Sequence, residues 1–152
     1  MKWLIEFARR STVSANTVRA WRHRSGSGEV AEGRGRELWL PTGMVEQVIK
    51  VIETPGPGFF LRSHENTPYA WTDSMMGGGK DTLSIIDKRS LEVVRRVTPE
   101  PGKTAAHVEF DRYGRYALVS IWEDQGALVV YDAATFAEVK RIPMSRPSGK
   151  YN

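Results

Sequence analysis

The sequence predicts an all-β protein with two four-stranded antiparallel sheet units, preceded by a basic segment of a different character. Three observations carry this prediction: a repeat with a period of about 45 residues, short apolar runs that alternate with turn residues inside each repeat, and a charge excess confined to the start of the chain. Together they separate residues 1–36 from residues 37–152.

The repeat is clearest between DTLSIIDKRSLEVVRRVTPEPG (81–102) and GALVVYDAATFAEVKRIPMSRPSG (126–149). Pairs of matching residues lie 45 positions apart: Asp87 with Asp132, Leu91 with Phe136, Val94 with Val139, and Val97 with Ile142. The segments before these match at an offset of 47, and a partial third copy, MVEQVIKVIETPG (44–56), precedes both. This period is typical of a four-stranded propeller blade.

Each repeat contains four apolar or alternating runs that are separated by turn sequences such as YGR, EDQG and AATF. The carboxylate of Asp132, directly after one such run, can cap the turn that follows. The predicted strands lie near 58–63, 67–72, 82–87 and 92–97 in the first unit, and near 106–110, 115–121, 127–132 and 137–142 in the second.

Closed propellers contain four to eight blades. The chain supplies two blades and the outer strand of a third, so it does not close alone at this period. It is a fragment, assembles from copies, or packs its two sheets in an open form. Because missing blades leave sheet edges open, we expect marginal stability and self-association.

Composition excludes several classes of protein and of site. Residues 1–37 hold 8 Lys+Arg and 4 Asp+Glu, whereas residues 38–152 hold 14 of each, so the net charge of +4 lies at the start of the chain. The sequence has no apolar run near the length of a membrane span and no visible signal peptide. The absence of cysteine excludes disulfides and cysteine-ligated metals within this chain.

The first 36 residues do not join the repeat. LIEFARRS (4–11) and SANTVRAWRHR (14–24) suggest short amphipathic helices, and SGSGEVAEGRGRE (25–37) is linker-like. Residues 11–24 also suggest the turn and second helix of a DNA-binding helix-turn-helix, but the first helix would be short and no third helix follows. We therefore predict a basic extension, partly helical or disordered, and do not expect nucleic-acid binding.

Two motifs invite functions that their context does not support. GGGK (77–80) lacks the upstream glycine of a phosphate-binding loop and is followed by Asp81 in place of Ser or Thr, so a hairpin loop is predicted. The residue types of a hydrolase triad occur in Ser63, His64 and Asp73, without a nucleophile elbow. The three histidines have unrelated spacings, and no metal site is predicted.

Four segments carry a resemblance to a known family. They are GPGFFLRSH (56–64), GKTAAHVEFDRYGRYALVSIW (102–122), ALVVYD (127–132) and PSGKYN (147–152). They resemble the last blades of the haem d1 propeller family, which includes the cytochrome cd1 nitrite reductases and related proteins of haem d1 biosynthesis. The resemblance covers roughly residues 44–152 and implies two blades of an eight-bladed propeller that carries haem d1 in its central cavity.

The resemblance also implies the residues that line this cavity. His107 stands on the innermost strand where the family has Gln, and it is a candidate catalytic residue on the distal side; the alternative is a structural histidine. The candidate cofactor-binding residues are Phe60, Trp122, Ser148, Gly149 and Tyr151. An aromatic ring can stack on a flat macrocycle, glycine permits close approach, and histidine can donate to an anionic ligand. The departures from the family, Gln to His107 and Phe to Tyr151, favour a biosynthetic relative or a divergent reductase.

The resemblance implies haem d1 or its precursor as the ligand, an oxidoreductase parent in nitrite reduction or haem d1 biosynthesis, and a periplasmic location, and it admits a c-type cytochrome as partner. The family's axial histidine lies in earlier blades, so we expect this chain alone to be inactive and to bind haem d1 weakly or not at all. The alternatives are a cofactor-free propeller interaction module and, less favoured, a small DNA-binding protein. We expect His107 and Tyr151 on the channel side and Lys140 and Arg141 on the outer rim.

Overall fold

The computed structural model describes residues 2–10, 16–24 and 46–148, and every regular element in these ranges is a β-strand. The chain divides into two compact units, Met1–Thr54 and Pro55–Asn152. Among the described residues, no helix is long and apolar enough to cross a membrane.

The first unit contains a three-stranded antiparallel sheet with the spatial order β2-β1-β3. Its strands are β1 (Lys2–Arg10), β2 (Asn16–Arg24) and β3 (Glu46–Thr54). The expected helices at 4–11 and 14–24 are therefore wrong, and the helix-turn-helix interpretation loses its recognition helix. β3, which corresponds to the predicted third repeat copy, supplies hydrogen-bonding partners to β1 from far downstream, and local helical periodicity carries no information about such a partner.

The second unit contains two four-stranded antiparallel sheets, each with its strands in sequential order. The first sheet comprises β4 (Leu61–Ser63), β5 (Tyr69–Thr72), β6 (Leu83–Asp87) and β7 (Val93–Val97). The second comprises β8 (Ala105–Phe110), β9 (Tyr116–Ile121), β10 (Ala127–Asp132) and β11 (Glu138–Pro143). The predicted pair of four-stranded units is confirmed, and the largest boundary difference is the late start of β4.

The repeat extends to the backbone conformation of its turns. Asp87 Oδ1 accepts hydrogen bonds from the amides of Arg89 and Ser90 at 2.8 Å. Asp132 Oδ1 likewise caps the turn after β10, as predicted, accepting from the Thr135 amide at 2.8 Å. The next matching pair, Leu91 and Phe136, has φ angles of 57° and 62°, which non-glycine residues rarely adopt. Two sequences 45 residues apart thus fold through the same strained turn.

The core of the second unit lies between its two sheets. Trp71, Leu83 and Ile85 of the first sheet and Val119 and Val129 of the second are fully buried in one apolar cluster. Burial of such side chains contributes about 1.5–3 kcal/mol each.

Aromatic rings close one part of this interface. Phe136, in the strained turn after β10, packs edge-on against Tyr69 with ring centroids 4.8 Å apart, and Trp71 lies 5.7 Å from Tyr131. The turn after β10 therefore places an apolar side chain of the second blade against the first blade.

The two edge strands of each sheet differ in what they contact. β4 and β8 are the innermost edge strands of the two blades. They lie side by side and are joined by a salt bridge from Arg62 to Glu109 at 2.7 Å. β11 is the opposite edge of its sheet and is largely exposed, and it carries Lys140 and Arg141, as predicted for the outer rim.

The inter-sheet core gives a matched stability test. Val129→Ala removes two methyl groups from a fully buried site and should lower the free energy of unfolding by about 2 kcal/mol. Val139→Ala makes the same change on β11, where the side chain is 55% exposed, and should cost less than about 0.5 kcal/mol. Urea unfolding followed by circular dichroism measures both. Equal losses would contradict the assigned core.

Candidate functional site

His107 lies where β8 departs from regular pairing with β9. Ala106 pairs with Ser120 and Glu109 pairs with Leu118, so two residues of β8 oppose the single residue between them on β9. This is a β-bulge, which re-aims the bulged side chain. His107 itself has a φ of 53°, a conformation that costs a non-glycine residue on the order of 1–3 kcal/mol and persists only where its surroundings enforce it.

Two aromatic rings, those of Phe60 and Trp122, contact this histidine, and Phe59 contacts Phe60. We call these four residues the aromatic group (Phe59, Phe60, His107 and Trp122). The Phe60 ring is tilted against the imidazole with centroids 4.6 Å apart. Trp122 meets the imidazole edge-on at 5.7 Å, and Phe59 lies 6.3 Å from Phe60. Phe59 is 62% exposed and Trp122 is 42% exposed, so the group presents aromatic surface at this end of the blades.

The imidazole of His107 is half-buried and poorly solvated. Burial lowers its pKa, and the carboxylate of Glu109 partly opposes this effect. Its Nδ1 is buried and has no hydrogen-bond partner among the described residues. His107 is therefore neutral near pH 7 and carries a buried nitrogen with unused hydrogen-bonding capacity.

Asp73, directly after β5, anchors the loop that carries Phe60. Its Oδ1 accepts a hydrogen bond from the Phe59 amide at 2.8 Å, and its own amide donates to the Phe60 carbonyl at 3.2 Å. The Met76 amide donates to the Pro57 carbonyl at 2.9 Å. Asp73 is fully buried, and burial raises its pKa to about 6, against the opposing effect of nearby backbone amides.

Trp122 and the last described residues share one end of the second blade. The Trp122 amide donates to the Thr104 carbonyl at 2.8 Å, and the Arg146 amide donates to the Glu123 carbonyl at 2.9 Å. Arg146 thus returns the chain to the residue after Trp122. Pro147 is buried and Ser148 is exposed, directly beyond this anchor.

The structure therefore brings together three of the sequence-predicted site residues, Phe60, His107 and Trp122. Ser148 follows the segment that is anchored beside Trp122. Gly149 and Tyr151 lie outside the described residues.

The motifs discounted from sequence do not form sites. The Ser63 hydroxyl donates to the Tyr69 carbonyl, His64 Nδ1 accepts from the Asn66 amide, and Asp73 binds the Phe59 amide, so no triad forms. The GGGK stretch lies in the loop between β5 and β6. Within residues 2–10, 16–24 and 46–148, no three potential ligands lie close enough to hold a metal ion.

Two contributors to the site were missed from the sequence. In the sequence, nothing distinguishes Phe59 from its neighbour, and Asp73 stands out only as a residue type of a hydrolase triad. A usable signal was present, because Asp73 ends the apolar run YAWTD, where a carboxylate requires hydrogen-bond donors. Its donors lie in the GFF stretch, which sequence reasoning placed inside a strand.

The Cytochrome D1 heme domain family matches residues 20–152. The chain belongs to this family. A dihydro-heme d1 dehydrogenase of Pseudomonas aeruginosa is 60% identical over 104 residues, a match that covers 68% of this chain and 21% of that protein.

A solved structure agrees with this family assignment. Dihydro-heme d1 dehydrogenase NirN in complex with DHE matches with a TM-score of 0.67 and 58% identity, over 70% of this chain and 23% of that one. The predicted cytochrome D1 heme domain resemblance and the propeller-type fold are thus confirmed. The chain spans about a fifth of the length of the relatives it matches.

Buried Asp73 predicts a pH dependence of stability. Because its folded pKa of about 6 lies above the ordinary aspartate pKa of 3.8, the folded state binds the extra proton, and the stabilisation is complete below about pH 4 and lost as pH rises through 6. The change approaches 3 kcal/mol, at about 1.4 kcal/mol per pKa unit. Asp73→Asn should remove it.

The measurement is urea unfolding of both proteins between pH 4 and pH 8. Other carboxyls, including those of Asp87 and Asp132, have pKa values lowered by backbone hydrogen bonds and give the opposite trend. The informative quantity is therefore the difference between the wild type and Asp73→Asn. A difference that does not change with pH would show that the Asp73 carboxyl does not titrate in this range.

His107 predicts a second titration. Its imidazole should protonate below the ordinary histidine pKa of 6.5, because burial disfavours the charged ring. Proton NMR of the imidazole resonances against pH measures this, with His107→Gln to assign the signal. Glu109→Gln should lower the midpoint further, since it removes the carboxylate that favours the charged form. A His107 midpoint at or above 6.5 would contradict the burial.

Proposed function

We propose that this chain forms part of the wall of a haem d1 pocket in a propeller that acts in haem d1 biosynthesis on dihydro-haem d1. The aromatic group carries this proposal: two rings pack on a neutral histidine whose Nδ1 is buried without a partner. Identity near 60% to a dihydro-heme d1 dehydrogenase supports the biosynthetic role over nitrite reduction. The alternative of nitrite reduction has no observation in its favour among the site residues.

The residues present fit a flat tetrapyrrole. Phe59 and Trp122 expose large aromatic surfaces, and such rings favour contact with another π-system. The Phe60 and His107 ring centroids lie 4.6 Å apart, and the His107 and Trp122 ring centroids lie 5.7 Å apart. We propose that Ser148, Gly149 and Tyr151 complete this side of the pocket by their matching family positions.

When bound, haem d1 or its dihydro precursor supplies the redox chemistry. The chain's own contribution is to bind, orient and shield. Phe60 and Trp122 present apolar surface to the ligand and exclude water from the imidazole. His107, with its lowered pKa, is neutral near pH 7 and can accept a proton at an imidazole nitrogen or hydrogen-bond a polar group of the ligand.

A spectral titration with dihydro-haem d1 and with haem d1 tests the proposal. The chain is measured by itself and joined to the upstream blades of its dihydro-heme d1 dehydrogenase relative. We expect weak or no binding by the chain and tight binding by the completed propeller. In the latter, His107→Ala should weaken binding or turnover by about tenfold, the effect of losing roughly 1.4 kcal/mol.

His64→Ala is the matched control, because His64 follows β4 at the end opposite to Phe60, where its ring lies 6.3 Å from Phe110 and its Nδ1 accepts from the Asn66 amide. It should leave affinity unchanged within about twofold. Sedimentation velocity, run on each sample, reports self-association through open sheet edges separately from ligand binding. Failure of the completed propeller to bind either tetrapyrrole would overturn the proposal and favour the cofactor-free interaction module. Tight, stoichiometric binding by the chain alone would contradict the expected need for the other blades.

A further inference from the structure

The carboxyl of Asp73 is buried in a way that its turn does not explain. It is fully buried, and its Oδ2 has no hydrogen-bond partner of standard geometry among the described residues. The turn-capping carboxylates behave differently: Asp132 accepts from two amides and a hydroxyl through one oxygen at an exposed site. A buried carboxyl with one oxygen that lacks a partner is costly. The backbone amides that favour its charged form are those of Phe59, Phe60 and Met75, so two of the three belong to the loop before β4.

Two hydrogen bonds of Asp73 fix the backbone on both sides of Phe60. The Asp73 side chain holds the Phe59 amide at 2.8 Å, and the Asp73 amide holds the Phe60 carbonyl at 3.2 Å. The peptide unit that joins the two phenylalanines is thus flanked by two hydrogen bonds from one residue. Rotation of the Phe60 backbone would break one or both of them.

We propose that Asp73 is a positioning residue that holds Phe60 against His107, and so sets the ligand-facing geometry of the aromatic group. The assignment of a ligand to this group rests on the proposed function; the positioning itself does not.

Sheet pairing alone does not place these two rings. β4 begins at Leu61, and the hydrogen bond from the Asp73 amide to the Phe60 carbonyl extends its register with β5 by one pair, so the ladder ends at Phe60. His107 lies in the bulge of β8, where regular pairing is interrupted. Because Phe60 stands at the end of its ladder and His107 stands in a bulge, the 4.6 Å contact between their rings depends on what fixes the loop before β4.

Gly58 shows how closely the loop and Asp73 are fitted. A Cβ at this position would overlap the carbonyl oxygen and Oδ1 of Asp73. Only glycine therefore permits the loop to approach close enough for the Phe59 amide to reach the carboxylate. The Pro57 carbonyl, which accepts from the Met76 amide at 2.9 Å, closes the far side of the same loop.

The experiment follows the imidazole protons of His107 by NMR, because their ring-current shifts report the positions of Phe60 and Trp122. Asp73→Leu keeps the number and branching of the side-chain heavy atoms, and it removes the acceptor by replacing both oxygens with methyl groups. It should move the His107 resonances by at least half of their ring-current displacement toward values for an isolated histidine. Asp73→Asn keeps an acceptor for the Phe59 amide and should restore most of the displacement.

Asp132→Asn is the matched control, since Asp132 also accepts backbone amides but after β10. It should leave the His107 signals unchanged. The His64 signals and the far-ultraviolet circular dichroism should be the same in all variants, which separates local repositioning from unfolding. A folded Asp73→Leu protein with unmoved His107 resonances would overturn the proposal.

Two further measurements test the proposal if the Asp73→Leu variant does not fold. Gly58→Ala should displace the loop from the opposite side and move the His107 resonances in the same way; unmoved resonances count against the proposal. In the wild type, the Phe59 amide should exchange slowly with solvent although it lies outside any strand, and fast exchange would also overturn the proposal.

The consequence for ligand binding is tested separately, by measuring haem d1 affinity in the completed propeller. Because Asp73 acts through Phe60, the losses of haem d1 affinity in Asp73→Leu and Phe60→Ala should not add in the double variant. Additive losses would contradict action through Phe60. Absence of haem d1 binding in every protein, with the His107 shifts as expected, would defeat the proposed function and leave the positioning role standing.

Discussion

The apolar contact between the two sheets is the constraint on which the rest of the second unit depends. Each sheet is a simple antiparallel meander with an apolar face, and face-to-face burial of Trp71, Ile85, Val119 and Val129 joins the pair. This packing fixes which strand of each blade is inner and which is outer. It brings β4 beside β8, with the Arg62–Glu109 ion pair between them, and the aromatic group lies at one end of that junction.

The site forms where regular hydrogen bonding stops. Phe60 precedes its strand, His107 lies in a bulge, and Trp122 follows its strand. Side chains at such positions are free of the strict alternation of a β-ladder, so they can converge on one point. Two features there are locally unfavourable: the φ of 53° at His107 and the buried carboxyl of Asp73. Both occur at or beside the aromatic group. Burial also keeps His107 neutral, which suits a group that accepts a proton or a hydrogen bond.

The repeat shows which features belong to the scaffold and which to the site. Asp87 and Asp132 cap equivalent turns, and Leu91 and Phe136 share the same unusual φ, so these features recur with the blade. The positive φ of His107 has no counterpart at Phe60, its partner at an offset of 47. A conformation that occurs once in a repeated scaffold needs a local cause, and here that cause is the bulge beside Phe60 and Trp122.

The sequence by itself determined the blades: alternation, turn residues and the 45-residue period are local or periodic signals, so eight strands, their turns and the caps at Asp87 and Asp132 could be predicted. It also indicated Phe60, His107 and Trp122, through resemblance to the haem d1 family. Tertiary structure alone decided the rest. Strands β1 and β2 form where helices were expected, because β1 pairs with β2 on one side and with β3, far along the chain, on the other. The anchoring of Phe60 by Asp73 depends on a hydrogen bond across 14 residues and on the close approach at Gly58, and neither has a local pattern.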